Sequence, residues 1–359
     1  TAPAADPPAE GSAGNPTTNV IKVVNNWVGK AAKELKIRLS NVNIKVEKKV
    51  NKAAMDVSGD GKTKVELDGQ NVLDSYGTDY PASYQAGLRK QGEGTLIITD
   101  ETNDEGKKIT TPKSESDTSG SLTAKGAGGN GAAGIGGSAA EGTKNIIIEG
   151  YATVHAAGGG SGAGIGGGGI YGDTQSGDAE NIIIQGYATV DAKGSGSAAG
   201  IGGSGYRGNA DITISGGTIR ATGGDQAAGI GGGTSGNGKV TITGDAVIEE
   251  SIGGSSGAGA GNATGGAGIG GGANGHGTID ISGNAQVKNA LGKDGGAGIG
   301  SGYEGDGNVN ISDNATIENA EGGKFAAGIG GGYRGDGNVT ISGNAKIDNV
   351  SGGKQAAGI

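Results

Sequence analysis

The chain of 359 residues has no cysteine, one tryptophan and one phenylalanine. Without cysteine there are no disulfides, no thiol nucleophile and no cysteine metal site. Aromatic residues make up 3% of the chain, which excludes a globular core built on large rings. Proline occurs 6 times and no Gly-X-Y triplet runs through the sequence, so a collagen helix is excluded too. No stretch approaches the roughly 18 apolar residues of a membrane-spanning helix. Basic residues are outnumbered, 28 Lys and Arg against 37 Asp and Glu, giving a formal net charge of −9. Such a surface lacks the basic stripe that a phosphate backbone requires, so nucleic acid is not expected as a partner. The segment Asn19 to Lys64 runs the other way, with eleven Lys or Arg against four Asp or Glu, and reads as a solvated charged face.

Glycine is what the chain has in abundance, 85 residues, and it is placed periodically. Ala-Gly-Ile motifs end at Ile269, Ile299, Ile329 and Ile359, a repeat of 30 residues, and the Gly-Ile pair recurs upstream at Ile135, Ile165, Ile201 and Ile230. A fixed period of this size marks stacked supersecondary units. Between the glycines lie short period-2 runs such as Val309-Asn310-Ile311 and Val339-Thr340-Ile341, the alternation of strands, so low-complexity disorder does not fit. In the repeat 327–356, strands are expected at Ala327 to Gly331, Asn338 to Ser342 and Ala345 to Asn349. Three short strands per coil, joined by Gly-rich corners, predict an all-β, right-handed parallel β-helix in which each coil pairs with those above and below. A β-propeller blade needs about 40 residues or more and is excluded.

Alternation assigns Ala327, Ile329, Val339, Ile341, Ala345, Ile347 and Asn349 to the interior. Asn289, Asn319 and Asn349 are therefore expected as an inward amide ladder. Asn284, Asn314 and Asn344 are expected at a corner, where Asn tolerates a left-handed backbone. At the other end, Val20, Val23, Val24, Trp27, Val28, Ala31, Ala32 and Leu35 recur at helical spacing. An amphipathic helix over 19–36, N-capped by Thr18 or Asn19, is expected to cover the apolar end of the solenoid. The organisation is then a polar, Pro-containing tail (1–18), the capping helix (19–36), degenerate coils (37–119) and regular Gly-rich coils (120–359).

The residues that bear chemistry are few. Tyr171, Tyr206, Tyr303 and Tyr333 follow their repeat isoleucines closely, so successive coils are expected to present rings along one edge, where flat sugar faces pack. Tyr151 and Tyr187 form a separate pair at the second corner. Asp306 and Asp336, in Gly-Asp-Gly corners, are the candidate calcium ligands. Arg334-Gly335-Asp336 matches an integrin-type tripeptide once, in a turn whose counterparts read Arg207-Gly208-Asn209 and Glu304-Gly305-Asp306, and is read as turn drift. His155 and His276 lie in distant coils and the outward carboxylates are scattered, so no catalytic cluster is expected and the chain is read as a non-enzyme. No phosphate-binding Gly-rich loop followed by Lys and Ser or Thr is present.

At the level of the coil the chain resembles a family of bacterial, often clostridial, secreted carbohydrate-binding β-helix proteins with Gly-Ala-Gly-Ile-Gly-Gly repeats. The residues that carry the resemblance are Leu67-Asp68-Gly69-Gln70-Asn71-Val72-Leu73, Thr95-Leu96-Ile97-Ile98-Thr99 and the eight isoleucine motifs, over residues 60–359. The intermediate segment Ala86-Gly87-Leu88 departs by a Leu for Ile. The resemblance implies a secreted or cell-surface protein that attaches to polysaccharide or a host glycan without catalysis, with calcium assistance as an option. The first residues, Thr1 to Glu10, read like the small-residue start of a mature secreted protein. A competing expectation comes from the other end, where the sequence stops mid-repeat at Ala357-Gly358-Ile359. Open strand ends propagate head to tail, which points to a homo-oligomeric stalk or fibre subunit.

Overall fold

The computed structural model describes residues 16–29, 33–47, 50–75, 84–102, 106–109, 120–129, 131–170, 177–256 and 264–359. The described residues form three parallel sheets of 10, 10 and 11 strands, and consecutive strands along the chain belong to different sheets, except that Gln286–Val287 and Ala290–Leu291 are two pieces of one third-sheet level. Each turn of chain contributes one strand to each sheet, so neighbours within a sheet come from successive coils. This is a right-handed parallel β-helix, as the repeat predicts. No helix is present among the described residues.

The first sheet is built from the Gly-Ile pairs. Ile135, Ile165, Ile201, Ile230, Ile269, Ile299 and Ile329 pair in register, each fully buried. The second sheet supplies two inward residues per coil, as in Ile182 and Ile184 or Val240 and Ile242. The third supplies a branched residue and a small one, as in Val190 and Ala192 or Ile219 and Ala221. Burying each such Ile or Val stabilises by about 1.5–3 kcal/mol, and the stack repeats that gain in every coil. Where the third-sheet alanine becomes Ser251, its hydroxyl donates to Gly268 O at 2.7 Å and the interior stays satisfied.

From Gly136 to Gly300, the glycine after each repeat isoleucine is fixed by the next coil. At Gly231 φ is +137°, and a Cβ there would sit 1.9 Å from the Gly270 carbonyl oxygen. Backbone conformation and steric contact both demand glycine at that point.

Three expectations are corrected. The segment expected as a capping helix holds strands at Ile21–Val24 and Leu35–Ser40; residues 30–32 lie outside the described part. Ile21–Val24 pairs with Met55–Ser58 and is the first strand of the first sheet, not a cap upon it. The helical stripe was coincidental: Val23 is buried, whereas Val24, Trp27 and Val28 are more than half exposed. Three β-branched residues among Ile21-Lys22-Val23-Val24 favour the extended backbone, and ladder pairing decides the outcome.

The second correction concerns Asn289, Asn319 and Asn349. In Thr316–Glu321 the buried positions are Ile317 and Ala320, so two residues rather than one face outward between them. An extra residue enters the same sheet two coils earlier, in Val247–Ile252, where Ile219 pairs with Ile248 but Arg220 with Glu250, and the shifted alternation carries on through Ser251, Ala290 and Ala320. Val350 packs on the core in the place assigned to Asn349. Asn319 still donates its amide to Asn289 Oδ1 at 2.7 Å, but from a half-buried outer position.

The third concerns the corner. Positive φ belongs to the residue before each Asn: Gly283 at 69°, Asp313 at 59° and Gly343 at 68°. The asparagines instead form an exposed side-chain ladder, Asn344 to Asn314 at 3.2 Å, Asn314 to Asn284 at 3.3 Å and Asn284 to Asp245 at 3.0 Å.

Candidate functional site

The first corner joins each Gly-Ile strand to the second sheet, and its backbone is held coil to coil. Arg207 N–H donates to Thr234 O, Ser235 to Ala273 O, Asn274 to Tyr303 O and Glu304 to Tyr333 O. Tyr206, Thr234, Ala273, Tyr303 and Tyr333 therefore occupy one column. The structure brings Tyr303 and Tyr333 together, with ring centroids 5.7 Å apart and planes tilted by 42°. Tyr206 lies on the same column with Thr234 and Ala273 between, and Tyr171 falls outside the described residues.

Two further residues join the tyrosine pair. Phe325 arrives from the corner that closes the preceding coil, its ring 5.1 Å from that of Tyr333. The Arg334 guanidinium lies 5.2 Å from the Tyr333 ring centre and donates to Glu304 Oε1 at 3.2 Å. Hydrogen bonding to Glu304 raises the Tyr303 phenol above its ordinary value. The result is a half-exposed aromatic cluster rimmed by a cation and a carboxylate. Sequence spacing finds the two tyrosines; Phe325 was missed because it lies eight residues upstream of Tyr333, on a different corner.

Alongside the cluster runs a polar ladder. Each member takes the backbone N–H of its counterpart one coil on: Asn209 N–H to Asp178 Oδ1 at 2.7 Å, Asn237 to Asn209 Oδ1 at 3.0 Å, and His276 to Asn237 Oδ1 at 2.8 Å. It continues with Asp306 N–H to His276 Nδ1 at 3.1 Å and Asp336 N–H to Asp306 Oδ1 at 2.9 Å. His276 therefore accepts at Nδ1. Asp306 and Asp336 are neighbours in this ladder, and Asp306 Oδ1 is engaged by the backbone. Among the described residues, no group of three or more His, Cys, Asp or Glu is placed to hold a metal ion. Arg334 and Asp336 belong to two separate columns of coil-to-coil contacts, so the Arg-Gly-Asp triplet is accounted for by the stack.

Beside the ladder the surface dips into a shallow recess of about 370 Å³ lined by Asp178, Glu180, Asp211, Lys239 and His276 among others. A second recess of about 360 Å³ shares Asp178 and Glu180 with it and continues to Lys144, Glu93 and Lys90. Together they make a groove of alternating charge parallel to the solenoid axis. Lys90 is its one buried amine: 3% exposed, it donates to Gln91 O and Gly92 O at 3.1 and 2.9 Å, and burial lowers its pKa to about 8.

At the second corner Tyr151 and Tyr187 stack face to face, centroids 5.1 Å apart and planes within 7°. Tyr187 is 63% exposed.

No helix among the described residues is long and apolar enough to cross a membrane. Comparison of the chain with protein-family models, with curated proteins and with solved structures returns no match. The fold and surface define the class, a parallel β-solenoid repeat protein.

Proposed function

We propose that this chain is a non-catalytic solenoid that binds polysaccharide or a host glycan, outside the cell or at its surface. The observation that carries the reading is the half-exposed aromatic cluster of Tyr303, Tyr333 and Phe325 beside the first corner. Among the described residues the core is aliphatic and no ring is buried in it, so the rings on the outside are read as serving contact with something else. Sugars offer an apolar face to such rings and hydroxyls to flanking charged groups, here Glu304 and Arg334. The axial groove of alternating charge supplies further hydrogen-bonding groups in a line that suits an extended polymer.

The test is migration of the native chain through gels cast with soluble polysaccharides. Retardation that is lost in the Tyr303→Ala plus Tyr333→Ala double variant, with unchanged thermal unfolding, supports the reading. Migration unaltered by every glycan, together with concentration-dependent rods in electron microscopy, would favour a fibre subunit instead.

A further inference from the structure

The second-corner column contains one break. Tyr187 N–H donates to Gly150 O at 2.9 Å, Asn284 to Gly244 O at 2.8 Å and Asn314 to Gly283 O at 2.9 Å, so Tyr151, Tyr187, Asp245, Asn284, Asn314 and Asn344 share one position on their coils. One coil lies between Tyr187 and Asp245, and its corner is a residue short. Ile184 and Thr189 enclose Gln185-Gly186-Tyr187-Ala188, whereas their partners Ile214 and Thr218 enclose only Ser215-Gly216-Gly217.

The glycines show which residue is missing. A Cβ on Gly216 would meet Gly186 O at 2.6 Å, and one on Gly217 would meet Ala188 O at 2.4 Å. Gly216 thus sits over Gly186 and Gly217 over Ala188, and no residue sits over Tyr187. The full corner returns one coil later as Thr243-Gly244-Asp245-Ala246.

The column therefore has a slot one coil high. Its floor is the face of Tyr187 turned away from Tyr151, and its roof is the level of Asp245. Strand levels are about 4.8 Å apart, so floor and roof are separated by roughly 9.6 Å. A flat ring in van der Waals contact with a tyrosine lies about 3.5–4 Å above it, which fills the empty level. Asp245 is exposed and accepts from Asn284 Nδ2 at 3.0 Å through Oδ1, which leaves its second oxygen to accept a hydroxyl. A roof carboxylate disfavours a second carboxylate beneath it, so the fit is to an uncharged ring.

We propose that the slot between Tyr187 and Asp245 is a subsite for one neutral pyranose unit, its apolar face on Tyr187 and a hydroxyl donated to Asp245. The proposal rests on the glycan reading but uses a different corner from Tyr303 and Tyr333, so its failure is distinguishable from the failure of that reading.

The test uses cellohexaose, whose rings are flat and uncharged, in saturation-transfer NMR with the full chain. Native protein is expected to transfer saturation to the ring-face protons. Tyr187→Ala, and a variant with Gly216-Gly217 replaced by Gly-Tyr-Ala so that a ring fills the slot, are each expected to weaken binding about tenfold or more, the scale of one lost aromatic contact. Asn344→Ala, on the same column, is expected to bind as native. Tyr187→Ala keeps the question open to decision should the insertion disturb folding. Native binding that survives both changes overturns the subsite and leaves the glycan reading standing. Absence of transfer to native protein overturns the subsite, while gel retardation by polysaccharide judges the wider reading.

Discussion

One strand position obeys two rules in two regions of the molecule. In the N-terminal coils this register position holds Lys22, Asp56 or Arg89; from Gly136 to Gly330 it is glycine in every coil. Asp56 and Arg89 are half-buried, paired across the sheet at 4.0 Å, and Arg89 donates through Nε to Glu141 Oε2 at 2.9 Å. Burial raises the Asp56 pKa and the Arg89 charge opposes the rise. In the Gly-rich coils φ at this position is +131° to +142°, and from Gly136 to Gly300 the carbonyl of the next coil approaches to where a Cβ would lie. The first-sheet strand shortens with it, from Leu88–Lys90 to Ile135–Gly136. The difference teaches that glycine here is a consequence of tight corners that follow the isoleucine at once. Where the strand runs a residue longer, side chains and ion pairs take its place.

The largest effect that would sharpen this contrast comes from Gly231→Ala. Strain and overpacking together are expected to cost about 2–6 kcal/mol, read as a fall in urea midpoint. Arg89→Ala, at the equivalent position, is expected to cost about 1–2 kcal/mol through the carboxylates it leaves half-buried. Equal losses would break the comparison.

Lys90 gives the next effect, and its sign is definite. Its folded pKa of about 8 lies below the ordinary 10.5, so between these values the unfolded chain binds more protons. Stability from this group therefore rises as pH climbs from 8 to 10.5, and the buried charge is a burden below 8. Lys90→Met is expected to melt higher than native near neutral pH, the gap narrowing toward pH 10.5 in thermal scans. A gap independent of pH would contradict the burial account.

Smallest is Asn314→Ala. The exposed amide ladder trades with water, so the loss is expected to be below about 0.5 kcal/mol. A larger loss would make the corner ladder a structural element in its own right.

Much of the architecture was legible because the signals repeat. The recurring Gly-Ile motif locates every isoleucine of the first-sheet column from Ile135 to Ile329 even where the spacing departs from 30, and alternation locates Val309 and Ile311 in the second sheet. What escaped depended on single-residue shifts. The extra residue opposite Arg220 moved Asn319 outward, and the missing one at Gly216 opened the slot; neither changes composition or period enough to be seen without register. The N-terminal segment misled because Val20, Val23, Val24, Trp27 and Val28 satisfy a helical wheel, while partners at Met55 and Val57 are remote in sequence. The Tyr303–Tyr333 pair was legible from spacing, and Phe325 was not, since its approach depends on how two corners of the solenoid meet.

The central claim is that one residue per coil, in strict register, forms the first-sheet column of the core. Methyl-labelled Leu and Ile in perdeuterated protein test it directly through nuclear Overhauser contacts. The account predicts an unbroken walk from Leu88 through Ile135, Ile165, Ile201, Ile230, Ile269 and Ile299 to Ile329. A walk that skips a member or links the isoleucines in another order would contradict it.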